Sequence, residues 1–125
     1  MSRTVKIPDE THPITVSPTG AHVTVHVGGV KIAETDGALS LREASYPAIQ
    51  YIPLKDVDQS VLQRTETHTY CPYKGEASYY SVRTPDGTAE TDLIWFYDEP
   101  YDAVARIAGH VAFYPDRAEV TVKDI

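Results

Sequence analysis

The chain has one cysteine and no asparagine. A lone cysteine excludes an intrachain disulfide framework and a multi-thiolate zinc site, and it suits a reducing compartment better than secretion. Without asparagine there is no N-glycosylation acceptor. Basic residues are scarce too. Eleven Lys and Arg stand against eighteen Asp and Glu, a net charge of -7, so a nonspecific grip on phosphate backbones would oppose the protein's own field and nucleic acid is not an expected partner. No apolar run approaches the roughly 18 residues of a membrane span. The stretch of Lys6, Pro8, Asp9 and Glu10 has none of a signal peptide's apolar character. The expectation is a cytoplasmic protein with no membrane partner.

What remains is ordinary material for one domain: 125 residues, 42% apolar and 23% charged, enough to bury roughly two-thirds of the unfolded chain's surface. Residues 1–125 are read as a single domain, with residues 1–12 as a loose N-terminal arm and the last few residues as the other loose end. No internal repeat or linker interrupts it. The aromatics are lopsided, nine Tyr against two Phe and one Trp. Tyrosine brings a hydroxyl that needs a partner, so this excess points to half-solvated strands or to a ligand surface of amphipathic rings.

From Ala21 to Thr35, Val23, Val25 and Val27 alternate with His22, Thr24 and His26 before Gly28-Gly29 leads into Val30 and Ile32. This reads as a hairpin with a two-residue primed turn, Val27 facing Val30 and Val25 facing Ile32. His22 and His26 then lie on the outward face, where a solvated strand explains them better than a zinc site. Ala38 to Pro53 alternates but contains Pro47 and Pro53, which fits edge or irregular strands. Lys55 to Gln63 has the spacing of a short helical turn with Asp56 as its cap. Thr84-Pro85-Asp86-Gly87 is a turn recipe. It joins Ser78–Arg83 to Thr88–Tyr97, whose Leu93, Trp95 and Tyr97 alternate with Ile94 and Phe96, marking a central strand. Asp98-Glu99-Pro100 reads as a helix start, with a short helix over Pro100–Ala108 stopped at Gly109. A third hairpin is expected about Pro115-Asp116-Arg117, pairing Val111 and Phe113 with Val120 and Val122. The fold expected is mainly β, a twisted antiparallel sheet of about seven strands built of hairpins, with one short α-helix packed on it.

The densest polar and aromatic segment is Thr67-His68-Thr69-Tyr70-Cys71-Pro72-Tyr73-Lys74-Gly75-Glu76-Ala77-Ser78-Tyr79-Tyr80. It resembles the signature of the domain of unknown function 427 family, a Cys-Pro-aromatic-Lys-Gly-x-Ala-x-Tyr run after a Thr-rich approach. Trp95-Phe96-Tyr97-Asp98-Glu99-Pro100 and Ile107-Ala108-Gly109-His110-Val111-Ala112-Phe113-Tyr114 resemble its second block, and the likeness runs from about Val25 to Val122. It implies a small, mostly β protein of a kind found in bacteria and fungi, similar to twisted sheets of the β-tent kind, with no assigned role. A nucleotidyltransferase label sometimes attached to the family implies paired metal-binding acids after a Gly-Ser turn. The one Asp-x-Asp here, Asp56-Val57-Asp58, lacks that turn and reads as a solvated helix start.

Three function classes stay open on these residues. The preferred reading is a small-molecule or peptide binding module. Its ligand site would comprise Arg64, Tyr73, Lys74, Glu76, Tyr79, Trp95 and Tyr97, with Lys74 and Glu76 two apart and so on one side of an extended segment, clamping a polar guest among rings. Because Lys74 supplies an ammonium group, an anionic or carbonyl-bearing ligand is the natural guest. The second reading is an enzyme, by a nucleotidyltransferase-type activity or by a Cys71 thiolate with His68 and Lys74 nearby to activate it. His68 and Cys71 are therefore the candidate catalytic residues. A structural or partner-binding domain, with an exposed apolar patch in place of a pocket, is the third. One Cys and five dispersed His offer no ligand pair at metal spacing, so neither metal nor cofactor is expected. Oligomeric state is left open.

Overall fold

The computed structural model describes residues 3–123; Met1, Ser2, Asp124 and Ile125, part of the expected loose ends, lie outside the described residues. Ten strands form two antiparallel sheets. In chain order they are β1 (Ile14–Pro18), β2 (His22–Val27), β3 (Val30–Thr35), β4 (Leu39–Glu43), β5 (Ile49–Pro53), β6 (Leu62–Cys71), β7 (Gly75–Arg83), β8 (Ala89–Phe96), β9 (His110–Phe113) and β10 (Glu119–Lys123). Seven make one sheet in the order β1-β4-β5-β9-β8-β7-β6, and β10-β2-β3 make the other. No helix among the described residues is long and apolar enough to cross a membrane.

The buried valines of β2, Val23, Val25 and Val27, meet Ile52, Val82, Ile94, Phe96, Val111 and Phe113 from one face of the large sheet. That contact between the sheets is the main core. The other face carries Leu41, Tyr51, Ala77, Tyr79, Tyr97 and Ala112, partly covered by Val104 and Ile107. β8 has strands on both sides, as its two apolar faces require.

The first hairpin turns at Gly28 and Gly29, both at positive φ, which a two-residue primed turn demands. Val27 faces Val30 as expected, but Val25 pairs with Ala33 and not Ile32, because a bulge between Val25 and His26 shifts the register. A second bulge, with Asp92 at φ 50°, lies where Tyr80 pairs with Ile94 and Val82 with Glu90. It parts Leu93 from Trp95 and Tyr97: Leu93 joins Ile94 in the core between the sheets.

Four further expectations are corrected. The third hairpin does not form, since β9 pairs with β5 and β8 while β10 pairs with β2; the Pro115-Asp116-Arg117 turn passes the chain from one sheet to the other. β4 and β5 are interior strands of the large sheet rather than edges. Pro47 falls in their connection and Pro53 is the last residue of β5, positions where a missing N–H disturbs no ladder interior. In place of a helical turn over Lys55–Gln63 there are two 3-10 turns, Leu54–Asp56 and Gln59–Val61, the second capped by Asp58 accepting from Ser60 N. Asp56 instead accepts from the Thr35 hydroxyl. Finally, Pro100–Ala108 holds no α-helix but a 3-10 segment, Asp102–Ile107, broken by extended φ at Val104. Asp98, one of the two acids of the expected helix start, pairs instead with Arg64 at 2.8 Å, and Val104 N and Ala108 N bond three residues back, the tighter pattern of a run too short to settle into an α-helix.

Residues 3–13, which include most of the expected loose arm, lie along the β6–β7 turn. Lys6 N donates to Pro72 O at 2.9 Å, and the Tyr70 hydroxyl donates to Thr4 O.

Candidate functional site

The signature segment makes the turn between β6 and β7. Lys74 N donates to Cys71 O, and Lys74 O accepts from Tyr101 N. Gly75 follows at φ 115°, a backbone state that strains any residue with a Cβ. That reversal separates Lys74 from Glu76. The two were expected on one side, but alternation by two holds only within a strand, and Lys74 precedes β7.

Lys74 is 8% exposed. Its Nζ donates to Glu43 Oε1 at 2.5 Å and reaches Cys71 Sγ at 3.8 Å. On the other side of the carboxylate, Glu43 Oε2 lies 2.8 Å from His12 Nε2, and the His12 ring stacks on Tyr73 at 4.4 Å. Burial pushes the Glu43 carboxyl up, but hydrogen bonds and charge from Lys74 and His12 together outweigh it and hold the group below the ordinary carboxylate value.

The pair closes one side of a cavity of about 560 Å³ on the face of the large sheet away from the small one. Its walls are Tyr51 from β5, Tyr79 from β7, Trp95 and Tyr97 at the end of β8, and Tyr114 after β9. Tyr46 and Pro47, exposed in the β4–β5 connection, stand at its rim with Pro115. Register explains the grouping: Tyr79 is paired directly with Trp95, which puts their side chains on the same face. Trp95 Nε1 donates to the Tyr51 hydroxyl at 3.1 Å, the rings meeting edge to face, and Trp95 also lies 4.6 Å from Tyr114. Tyr79 shares a hydrogen bond with Thr69. The Tyr97 hydroxyl has no hydrogen-bond partner among the described residues. Burial raises the phenols of Tyr51 and Tyr97 far above their usual value, and burial with the neighbouring Tyr79 hydroxyl takes Tyr114 to about 12. At neutral pH every one of these hydroxyls carries its proton and can donate.

Of the residues expected to form the site, the structure brings together Lys74, Tyr79, Trp95 and Tyr97. Tyr73 lies outside, stacked on His12. Glu76, Arg64 and His68 are on the opposite face of β6 and β7. Glu76 pairs with Arg3 at 2.9 Å and approaches His68 at 3.7 Å. Arg64 pairs with Asp98, donates to Ser78 and lies over the Phe96 ring. His68 does not face Cys71, because three positions along a strand point opposite ways; its nearest partner is Ser78 Oγ at 3.3 Å. The Asp56-Val57-Asp58 acids are engaged locally, on Thr35 and on Ser60. Among the described residues no three His, Cys, Asp or Glu side chains are grouped to hold a metal.

Glu43 and His12 escaped the sequence reading. Glu43 did leave a signal, since Leu39, Leu41 and Glu43 are alternate residues of β4 and the two leucines are buried; a carboxylate at the next inward position needs a cation. Nothing in the local sequence marks His12.

No curated protein matches the chain. The family model described as a domain of unknown function, DUF427, matches residues 15–124, a span that takes in both signature blocks and every cavity residue named above. The chain belongs to the DUF427 family.

Proposed function

We propose that the protein binds a small molecule in the Lys74 cavity. The guest is a compact molecule with a flat ring portion held between Trp95, Tyr79 and Tyr97 and a carbonyl or carboxylate end directed at Lys74. One observation carries this reading: an ammonium group nine-tenths buried ends in an aromatic-walled cavity of the size that holds metabolites. Keeping a lysine there costs desolvation that one carboxylate offsets only in part, and an apolar residue would pack the same space more favourably. Glu43 neutralises most of the charge, so the guest is neutral or singly anionic, receiving hydrogen bonds from Lys74 and the free Tyr97 hydroxyl. The lone half-buried cysteine supports a reducing compartment such as the cytoplasm as the setting of this activity.

A thermal-shift screen of ring-bearing acids, ketones and aldehydes tests the reading. Hits should stabilise wild type and Glu76→Ala alike but lose most of their effect in Trp95→Ala and Tyr97→Phe. Hits indifferent to Trp95 and Tyr97 and sensitive to Glu76 or Arg64 would move the site to the other face of the sheet.

The 3.8 Å approach of Lys74 Nζ to Cys71 Sγ supports a second reading, a thiolate enzyme. Rapid labelling of Cys71 by iodoacetamide at pH 6 favours it, and sluggish labelling at pH 7 favours binding.

A further inference from the structure

Noncovalent binding uses the lysine only as a cation, yet its surroundings suit a second chemistry. Of the three hydrogens on Lys74 Nζ, one is directed to Glu43 and one to Cys71; the third has no partner among the described residues. The amine therefore has an open position on a cavity lined by rings. Its one strong contact is with a carboxylate able to take a proton from it, and that carboxylate is held on its far side by His12. An amine with an open position, a base touching it and an aromatic-walled cavity for the electrophile are what imine formation requires.

We propose that Lys74 captures an aromatic aldehyde or ketone as a reversible Schiff base, with Glu43 moving the protons. The idea rests on the cavity being the binding site. Glu43 takes one proton from the Lys74 ammonium. The freed lone pair attacks the carbonyl carbon, an N–C bond forms and the carbonyl π pair goes to oxygen. That oxygen acquires the proton the nitrogen gives up, making a neutral carbinolamine. Glu43 then returns its proton to the hydroxyl, the C–O bond breaks, water leaves and the nitrogen lone pair closes the protonated C=N. Ammonium plus carbonyl give iminium plus water, so charge and atoms balance and no oxidant or reductant enters. Ionised Glu43 is the form required to begin, and its hydrogen bonds keep it so at neutral pH.

The test uses 6-methoxy-2-naphthaldehyde as the carbonyl probe and 6-methoxy-2-naphthalenemethanol as the matched alcohol that cannot form an imine. Wild type incubated with the aldehyde and sodium cyanoborohydride should gain one reduced adduct, mapped by peptide mass spectrometry to Lys74 ahead of Lys6, Lys31, Lys55 and Lys123. Glu43→Gln, which keeps a hydrogen-bonding side chain, should slow the adduct by about 100-fold, the usual worth of a positioned proton carrier. Lys74→Arg should abolish it, whereas Glu76→Ala, on the other face of the sheet, should still be labelled and still be stabilised by the alcohol. If the alcohol stabilises wild type and not Trp95→Ala, but no Lys74 adduct appears, the cavity reading stands and imine capture is overturned. Labelling spread evenly over the five lysines overturns it as well. If neither probe stabilises wild type and none labels Lys74, both readings fall. Should Lys74→Arg not fold, the position of the adduct in wild type decides alone.

Discussion

Lys74 and Glu43, 31 positions apart in the chain, meet at 2.5 Å and tie the β6–β7 turn to β4 across the face of the large sheet. Their side chains are 11% and 20% exposed, so each neutralises a charge the other could not hold alone. Removing one partner strands a charge. Lys74→Met or Glu43→Leu alone should each destabilise by roughly 3–5 kcal/mol, whereas the double variant should recover most of the loss. Urea unfolding of the four proteins measures the cycle, and additive losses would show that the two side chains do not interact.

The same pair sets an acid limit. The folded-state Glu43 carboxyl lies below its ordinary value of 4.5, so the unfolded chain binds its proton first as pH falls. Stability from this group is whole above the ordinary value and is lost as pH drops through the folded one. Wild type should therefore lose its advantage over Glu43→Gln progressively below about pH 4.5, as read by urea midpoints from pH 7 to pH 3. A difference that stays constant over that range would contradict the assignment.

Much of the site was legible in the sequence because two of its strands are joined by a short turn. Thr84-Pro85-Asp86-Gly87 puts Ser78–Arg83 beside the Trp95 strand, but the register that the turn alone sets would place Tyr79 opposite Leu93, and it is the bulge at Asp92 that brings Trp95 there. The anionic partner was not legible, since Glu76 was the carboxylate nearest in sequence and Glu43 is brought in only by the crossover order β4-β5-β9-β8-β7. The same blindness to long-range pairing produced the false third hairpin: Val120 and Val122 alternate as a strand should, but Val120 pairs with Val25 and Val122 with Val23. Apolar spacing over Tyr101, Val104 and Ala108, with Ile107 flanking, reads as helix because period over so short a run does not distinguish an α-turn from consecutive 3-10 turns.

Gly75 is the position where backbone chirality aims the lysine. At φ 115° a Cβ is strained, so Gly75→Ala should cost more than about 1 kcal/mol and weaken cavity ligands along with stability. Leu93→Ala, by contrast, removes a fully buried side chain from the core between the sheets and should cost roughly 2–5 kcal/mol while leaving ligand affinity of the folded protein intact. Thermal melts with and without a screening hit separate the two. Equal loss of affinity in both would argue against a local role for the turn.

A metal-free fold is expected, since the candidate residues converge on aromatic rings and one ion pair. Dialysis against a chelator should leave the melting temperature unchanged, and a fall restored by zinc would overturn that expectation.

Trp95 is the chain's one tryptophan, and its indole N–H is bonded to Tyr51 in the wall of the cavity. It supplies a single, unambiguous indole resonance in a proton–nitrogen correlation spectrum. Titration with hits from the screen of ring-bearing acids, ketones and aldehydes should move that resonance in step with occupancy, together with the backbone signals of Lys74, Tyr79 and Tyr97. Hits that bind while the Trp95 indole stays still, and that shift Arg64, Glu76 and Ser78 instead, would contradict the assignment of function to the Lys74 cavity.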